Sequence, residues 1–402
     1  MKPIHLSTCL LLALFATAPR VLGDGGFFFR TTANLSQTRQ EVLLAFHIDA
    51  TNSLPQTTYV LRSRYAGDPE AFAWVIPVPA TPTDVVAHET GAVLDSLDGL
   101  TRPSFWFTGG SSDTGGGGCA CGAYPIPPPL LGDGGAVEVE ARGQAGIFEW
   151  AALTSTGSDA LVTWLNGNGF TIPTEAGDVL NGYVEQGRHF LAVRVSEPDD
   201  IEENDDGEIE IPPIQFTCQT SERFYPMVIS RISAADETEV LVYVLADHRA
   251  EAANVPNALV DPDALTYDST TASLTNYESL FTQTIADLGG VALVTEFARS
   301  SERGWGSMSW MSPLPAELLD LPCLTRMRTV IAREQMQLDF EFQDAPSDEA
   351  VSSEFWISAS GDVYYTAAVM GQPLAALLLF GLFCVVVKRR ANPQRRGGNV
   401  SR

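Results

Sequence analysis

A short apolar segment closed by prolines places the first constraint on the fold. Residues 72–78 are rich in aromatic and β-branched side chains, which predicts a buried strand. The Gly-Asp-Pro sequence at residues 67–69 predicts a turn before it, because glycine permits positive φ and proline fixes its own φ. Pro77 and Pro79 end the strand, since proline donates no hydrogen bond to a sheet ladder. The pattern predicts a turn followed by one short strand of a sheet.

Two alternating segments precede this strand. Residues 41–49 and 57–65 have the period of strands, so three neighbouring strands are expected to form an antiparallel nucleus. The Thr-Pro-Thr-Asp sequence at residues 81–84 has a capping residue and a proline in its first turn. It therefore predicts a helix that ends near Gly99.

Residues 147–195 show the most distinctive local pattern, which is strand, helix, helix, strand. We therefore predict an α+β fold class with mainly antiparallel sheets, this unit, and one C-terminal transmembrane helix. A length of 402 residues allows about two domains of ~150 residues. The acidic run at residues 197–210 is where the exported domain, residues 24–366, could be subdivided.

Both ends of the chain resemble targeting segments. Residues 1–23 combine a positive start, a short apolar run and a small final residue, which is typical of a secretory signal peptide. Residues 367–387 carry no charge and are long enough to span a bilayer, which needs about 20 apolar residues. The basic tail at residues 388–402 is then cytoplasmic by the positive-inside rule. These features predict a single-pass inner-membrane protein with a periplasmic domain, and a processed C-terminal sorting signal remains an alternative.

The charge of the chain is uneven. Its formal net charge is −26, and all 50 acidic residues lie in the predicted exported part, whose basic residues are all arginine. Such a field repels nucleic acid and anionic lipid, and it suits solubility, cationic partners or divalent cations. We expect an envelope protein as partner, contact with the membrane through the C-terminal helix, and no nucleic acid.

Five motifs resemble those of one bacterial family. They lie at residues 67–79, 100–103, 160–173, 239–247 and 324–328, in order along the predicted exported part. In these motifs the chain is similar to a bacterial exported family catalogued as domain of unknown function 2330. The resemblance implies an envelope protein, often tethered by a C-terminal helix, and supplies no activity. The motif residues we single out are Gly67, Asp68, Pro69, Trp74, Pro77, Pro79, Arg102, Arg326 and Arg328.

Four cysteines lie in the predicted exported part: Cys119, Cys121, Cys218 and Cys323. An even number in an oxidising compartment favours two disulfides, and four cysteines allow three pairings. Because a Cys119–Cys121 ring would be strained, we expect each of these two to bridge towards Cys218 or Cys323. A thiol pair for redox or metal chemistry is the alternative.

Glu202, Asn204 and Asp206 resemble the first half of a calcium loop, with oxygen ligands at alternate positions and a glycine after them. Pro213 stands where the bidentate glutamate belongs, so a solvated acidic loop is the simpler interpretation. The sequence therefore predicts no cofactor, and calcium is the one alternative.

Buried roles are expected for the arginines and tryptophans. In a chain this acidic, Arg102, Arg326 and Arg328 are expected to pair with carboxylates through bidentate bonds. Four tryptophans could line a glycan or peptide groove, although core packing is the simpler interpretation. These four are Trp74, Trp106, Trp150 and Trp164.

No catalytic motif is visible, whether a zinc-protease helix, a nucleophile elbow or a phosphate loop. The leading hypothesis is therefore a non-enzymatic binding or scaffold module of the bacterial envelope. A hydrolase or thiol-redox enzyme whose site is assembled by folding is the first alternative, and a calcium-responsive domain is the second.

Overall fold

The computed structural model describes residues 36–66, 73–107, 135–174, 176–195, 209–267, 275–301, 314, 316–357 and 363–365. These residues form nineteen strands and four helices of ten or eleven residues, with one further single-turn helix. The protein is thus mostly β-sheet, and the predicted α+β class with a C-terminal transmembrane helix is wrong. No described helix is long and apolar enough to cross a membrane. The segments predicted at residues 1–23, 367–387 and 388–402 lie outside the described residues.

In chain order the elements are β1 (Ser36–Ile48), β2 (Pro55–Ala66), β3 (Ala73–Val78), β4 (Pro82–Ala87), α1 (Ala92–Thr101), β5 (Ser104–Phe107), β6 (Val137–Ala145), β7 (Phe148–Ser155), α2 (Ser158–Gly167), α3 (Ala176–Glu185), β8 (His189–Val195), β9 (Ile209–Glu210), β10 (Ile214–Cys218), β11 (Phe224–Tyr225), β12 (Ala234–Ala246), β13 (Ala250–Ala252), β14 (Asn257–Ala258), α4 (Tyr277–Asp287), β15 (Leu293–Ser300), α5 (Ala316–Leu319), β16 (Cys323–Ala332), β17 (Phe340–Asp344), β18 (Glu354–Ile357) and β19 (Val363–Tyr365).

A nine-stranded mixed sheet is the centre of the fold. Its strand order is β14-β15-β16-β12-β1-β2-β10-β4, and β9 pairs with β2. β1 and β12 are parallel, and each carries a continuous apolar run that is buried on both faces. Alternate side chains of β1 therefore enter different cores: Val42 and Leu44 face one core, and Leu43 and Ala45 face the other beneath α1.

A four-stranded sheet, in the order β3-β8-β7-β6, packs on the large sheet. Trp74 and Ile76 share a core with the large sheet, whereas Val75 points into a second core with α2 and α3. The layers are therefore α1, large sheet, small sheet, and the α2–α3 pair. The β7–α2–α3–β8 unit lies where the sequence pattern indicated. The predicted early nucleus is wrong in one member, because β3 pairs with β8 and not with β1 or β2.

The helix predicted from residue 81 to Gly99 is also corrected. Pro82–Ala87 is an edge strand that pairs with β10, and the helix α1 begins only at Ala92. The β-branched pair Val85 and Val86 favours extended backbone. Pro82 is tolerated there because an edge strand leaves one side of its backbone unpaired.

A three-stranded sheet in the order β19-β18-β5 lies on the fourth core of the protein. β5 and β18 run parallel, although about 250 residues separate them in the chain. Phe355 and Ile357 pack beneath this sheet against Phe281 and Ile285 of α4. The inner face of this sheet is therefore apolar, and its outer face does not contribute to the fourth core.

Candidate functional site

Two tryptophans stack on the outer face of this three-stranded sheet. Trp106 of β5 and Trp356 of β18 are register partners, and their ring centroids are 5.9 Å apart with the planes 23° from parallel. Trp106 is 46% exposed, which is unusual for so large an apolar side chain. Tyr364 of β19 is the register partner of Trp356 on its other side. We call the stacked pair Trp106 and Trp356 the aromatic row.

The opposite face of the same strands anchors the aromatic row. Phe105 and Phe355 stack with centroids 5.3 Å apart, and the Tyr277 ring of α4 meets Phe105 edge-on at 5.7 Å. Side chains alternate between the two faces of a strand, so burying Phe105 and Phe355 turns Trp106 and Trp356 outward. The two tryptophan rings are therefore held by a packed inner layer.

One polar pair borders the aromatic row on the same face. Glu354 and Ser104 are register partners two residues before Trp356 and Trp106. Glu354 is half-buried, and it makes no ion pair with any other described residue. The face thus combines two tryptophan rings with a carboxylate, a composition that suits a partner with apolar and hydrogen-bonding groups.

Arg326 is the centre of a buried charge network on the α1 side of the large sheet. Its Nε donates to Glu296 Oε2 at 2.7 Å, and its Nη1 donates to Asp98 Oδ1 at 2.5 Å. Nη1 also donates to Tyr243 OH at 3.2 Å. Arg326 and Glu296 are 4% and 0% exposed. Because Asp98 belongs to α1, this arginine ties the helix to the sheet.

Arg328 makes the equivalent connection to α4. Its Nε donates to Glu239 at 2.6 Å, and its two Nη atoms donate to the two oxygens of Glu278 at 3.0 and 2.9 Å. The guanidinium also lies 4.2 Å from the centroid of the Phe281 ring. Arg326 and Arg328 therefore pair with carboxylates as expected. The bond from Arg328 to Glu278 is bidentate, whereas Arg326 makes single bonds to two different carboxylates, so the bidentate bond expected for Arg326 is wrong.

A second buried arginine extends the network to the other end of α1. Arg62 Nε donates to Glu41 Oε2 at 2.6 Å, and its Nη1 contacts Asp95 at 2.8 Å and Glu210 at 2.9 Å. Burial alone raises the pKa of Asp98, but the guanidinium of Arg326 outweighs it and holds the pKa below its ordinary value. Asp98 therefore stays ionised at neutral pH, and its ion pair with Arg326 is suited to holding α1 on the sheet.

A family model described as "Uncharacterized protein conserved in bacteria (DUF2330)" matches residues 34–343. The chain belongs to the DUF2330 family. A search of curated proteins finds no match. Among solved structures, the crystal structure of baculovirus P35 is similar at 10% identity and a TM-score of 0.27, over 67% of this chain and 77% of that chain. That likeness is too slight to bear on fold or function.

Two motifs that are distant in the DUF2330 sequence meet in the charge network. Arg326 Nη1 lies 3.4 Å from Thr101 Oγ1, so the Leu-Thr-Arg sequences at residues 100–102 and 324–326 are in contact. Arg102 itself is 62% exposed, and its only ion pair with a described residue is a 3.8 Å contact with Asp98. The bidentate bond expected for Arg102 is therefore wrong.

The first motif is only partly described. Trp74 and Pro77 lie in β3, where the Trp74 side chain is buried, and Pro79 follows the strand. Gly67, Asp68 and Pro69 lie outside the described residues. Core packing holds for Trp74 and Trp164, which are buried, and Trp150 is half-buried against Gly143. Of the four tryptophans considered from the sequence, Trp106 is the one on the surface.

The two described cysteines of this DUF2330 chain are free. Cys218 and Cys323 are buried thiols, so the predicted bridges from Cys119 and Cys121 to them are wrong. Burial raises the pKa of Cys218 to about 12 and also raises the pKa of Cys323. Both sulfurs are therefore protonated at neutral pH and are poor nucleophiles. Cys218 packs in the apolar core between the sheets, and the thiol of Cys323 lies beside the hydroxyl groups of Ser300 and Thr325.

The remaining site predictions fall on residues that the structure does not describe. These are Cys119, Cys121, Glu202, Asn204 and Asp206. Within the described ranges, no group of three or more His, Cys, Asp or Glu side chains could hold a metal ion.

Sequence reasoning missed Trp356, because nothing local shows that β18 pairs with β5. It also missed Glu296 and Asp98, the acidic partners of Arg326. One signal was available: Ser-Phe-Trp-Phe at residues 104–107 and Glu-Phe-Trp-Ile at residues 354–357 have the same polar-aromatic-aromatic-apolar pattern. Two short strands that each show Phe-Trp could have been aligned as neighbours.

Proposed function

We propose that this chain is a non-enzymatic binding module of the bacterial envelope, and that the aromatic row is its contact surface for an envelope protein. The single observation that carries the proposal is the exposed ring of Trp106, which stacks on the half-buried ring of Trp356. Tryptophan is strongly enriched among the interface residues that contribute most binding energy. An exposed tryptophan that is stacked on a half-buried one is therefore the contact site that we favour among the described residues.

The support beneath the row favours tight contact. Ordering a flexible side chain on binding costs about 0.5–1.5 kcal/mol. Trp106 is already stacked on Trp356, and the strands beneath are packed through Phe105 and Phe355. Much of that ordering is therefore complete before a partner arrives.

The net charge of the chain restricts the class of partner further. The chain carries a net charge of −26, so its field disfavours nucleic acid and strongly acidic proteins. Glu354 beside the row offers an acceptor to a partner donor. We propose a protein partner that places apolar side chains on Trp106 and a basic or amide group near Glu354.

The test is site-specific photo-crosslinking in intact cells of the bacterium that makes the protein. A photoreactive phenylalanine replaces Trp106 in one variant and Ile48 in the control, since Ile48 is exposed to a similar degree on the β1–β2 turn. We expect one envelope protein to crosslink at position 106 and not at position 48. Its yield is expected to fall when Trp356→Ala is added.

Two outcomes would contradict the proposal. One is that the same proteins crosslink at positions 48 and 106. The other is that Trp356→Ala leaves the yield at position 106 unchanged while the variant still folds, as judged by circular dichroism.

A further inference from the structure

A recess that shares no residue with the aromatic row lies between α3 and the turn after β11. Its volume is about 220 Å³. The walls are formed by Val179, Gly182 and Tyr183 of α3, by Val228 and Arg231, and by Asp339. We call this recess the α3 groove. Ligand pockets for drug-sized molecules have about 300–1,000 Å³, so the groove fits a smaller molecule.

Asp339 is fixed at the wall of the α3 groove by three donors to one oxygen. Its Oδ1 accepts from Tyr183 OH at 2.6 Å and from the backbone N–H groups of Met227 and Val228, each at 2.8 Å. Its Oδ2 accepts no hydrogen bond from the described residues. Burial raises the pKa of Asp339, because its three hydrogen bonds and the nearby charge of Arg188 offset only part of the cost of burying the carboxylate. A cationic donor bound in the groove would provide a hydrogen bond and an opposite charge to this carboxylate.

Arg231 provides the opposite charge. Its Nη1 donates to Gln337 Oε1 at 3.0 Å, which holds the guanidinium near the segment that carries Asp339. Arg231 makes no ion pair with a carboxylate of the described chain, in contrast to Arg326 and Arg328. Its remaining N–H groups are therefore available to an acceptor, and a guanidinium matches a carboxylate in geometry.

Most of the remaining wall of the α3 groove is apolar or open, and Gln186 of the turn after α3 adds one polar side chain. Val179, Val228 and the Tyr183 ring line it, and Gly182 leaves the space above the helix empty. A Cβ at Gly182 would meet no atom within 4 Å. The groove thus presents an anion, a cation and an apolar floor within one small volume.

We propose that the α3 groove binds a free α-amino acid with a small aliphatic side chain. The ammonium group donates to Asp339 Oδ2, and the carboxylate accepts from Arg231. The side chain lies on Val179 and Val228. Asp178, which is exposed at the rim, adds a further negative charge on the ammonium side. This site is independent of the envelope partner proposed above, because it uses none of the residues of the aromatic row.

The test measures binding of three probes to the full chain by isothermal titration calorimetry. The probes are L-leucine, isopentylamine, which lacks the carboxylate, and 4-methylpentanoate, which lacks the amine. Each truncation removes one charge-assisted hydrogen-bonded group, so we expect each truncated probe to bind at least about tenfold more weakly than L-leucine.

Three variants assign the binding to the groove. Asp339→Asn keeps the size of the side chain and removes its charge, and Arg231→Gln shortens the side chain and removes its charge. Each variant is expected to bind L-leucine at least about tenfold more weakly. Gly182→Leu fills the groove and is expected to abolish binding. Trp106→Ala is the matched control and is expected to leave it unchanged.

The proposal fails if L-leucine does not bind at millimolar concentration. It also fails if the truncated probes bind as well as L-leucine, or if Gly182→Leu binds like the parent chain. Because asparagine keeps the acceptor for Tyr183, and because position 182 is open, loss of folding is not the expected cause of lost binding. Thermal unfolding of each variant checks this directly.

Discussion

Replacing Arg326 by methionine tests the energetic role of the buried charge network. The change leaves Glu296, which is 0% exposed, without its closest cationic partner, and it also removes a 2.5 Å contact from Asp98. Removing one partner of a buried ion pair costs about 3–5 kcal/mol, because the other charge stays buried and uncompensated. Glu296 keeps Tyr277 OH at 3.0 Å and Arg328 at 3.4 Å. We therefore expect a loss of about 3 kcal/mol, at the lower end of that range.

The matched control is Arg102→Met, because Arg102 contacts the same Asp98 from the solvent side. Its Nε lies 3.8 Å from Asp98 Oδ2, and the side chain is 62% exposed. Exposed ion pairs contribute about 0–1 kcal/mol, so this variant is expected to lose less than about 0.5 kcal/mol. The two substitutions remove the same charge and differ chiefly in burial.

The assay is urea unfolding followed by tryptophan fluorescence, with the slope of the transition compared among variants. Adding Glu296→Gln to Arg326→Met removes the stranded charge and keeps an acceptor for Tyr277. The double variant is expected to recover at least about 1 kcal/mol relative to Arg326→Met alone. If Arg326→Met costs no more than Arg102→Met, or if the double variant recovers nothing, the buried network does not hold the fold as we infer.

Two further predictions follow from single elements. Gly182→Ala in α3 is expected to raise the free energy of unfolding by about 0.5–1 kcal/mol, because alanine favours the helix. Gly187→Ala is expected to lower it by about 1 kcal/mol, because Gly187 follows the same helix at φ +72°. Neither added Cβ meets an atom within 4 Å, so urea unfolding of the two variants isolates the backbone effect. Asp98 has a folded pKa below its ordinary 3.8, so its ionised form stabilises the fold above that pH and the contribution is lost as the pH falls through the folded pKa. The difference in stability between the parent chain and Asp98→Asn is therefore expected to shrink as the pH is lowered from about 5 to about 3, and an unchanged difference would contradict the assigned ion pair.

Local patterns were sufficient for elements whose partners are close in sequence. The β7–α2–α3–β8 unit and the β1–β2 pair follow from period and from capping, because their strands lie within about 50 residues of each other. The same reasoning was wrong for Pro82–Ala87, where a helix-start signature competes with two valines and loses to pairing with β10. Pairing with a distant strand therefore determined the secondary structure of that segment.

The candidate site could not be predicted from local sequence patterns, because its residues come together through distant strand pairing. Trp106 was one of four tryptophans in the sequence, and only the parallel pairing of β5 with β18 distinguishes it from the three in or near the cores. The arginine pairing was predictable by type, since an acidic chain offers many carboxylates, but the partners of Arg326 come from α1 and β15. Contacts over such sequence separations leave no periodic trace in one sequence.

The charge network and the aromatic row are connected through the chain. Arg326 holds Asp98 of α1, and β5 begins three residues after α1 ends. Its other partner, Glu296, accepts from Tyr277, whose ring packs on Phe105 beneath the row. The buried arginine therefore positions the strand of Trp106 from two sides. If Arg326 positions Trp106 in this way, Arg326→Met is expected to lower the photo-crosslinking yield at position 106 under conditions where the variant remains folded. Arg102→Met is expected to leave that yield unchanged.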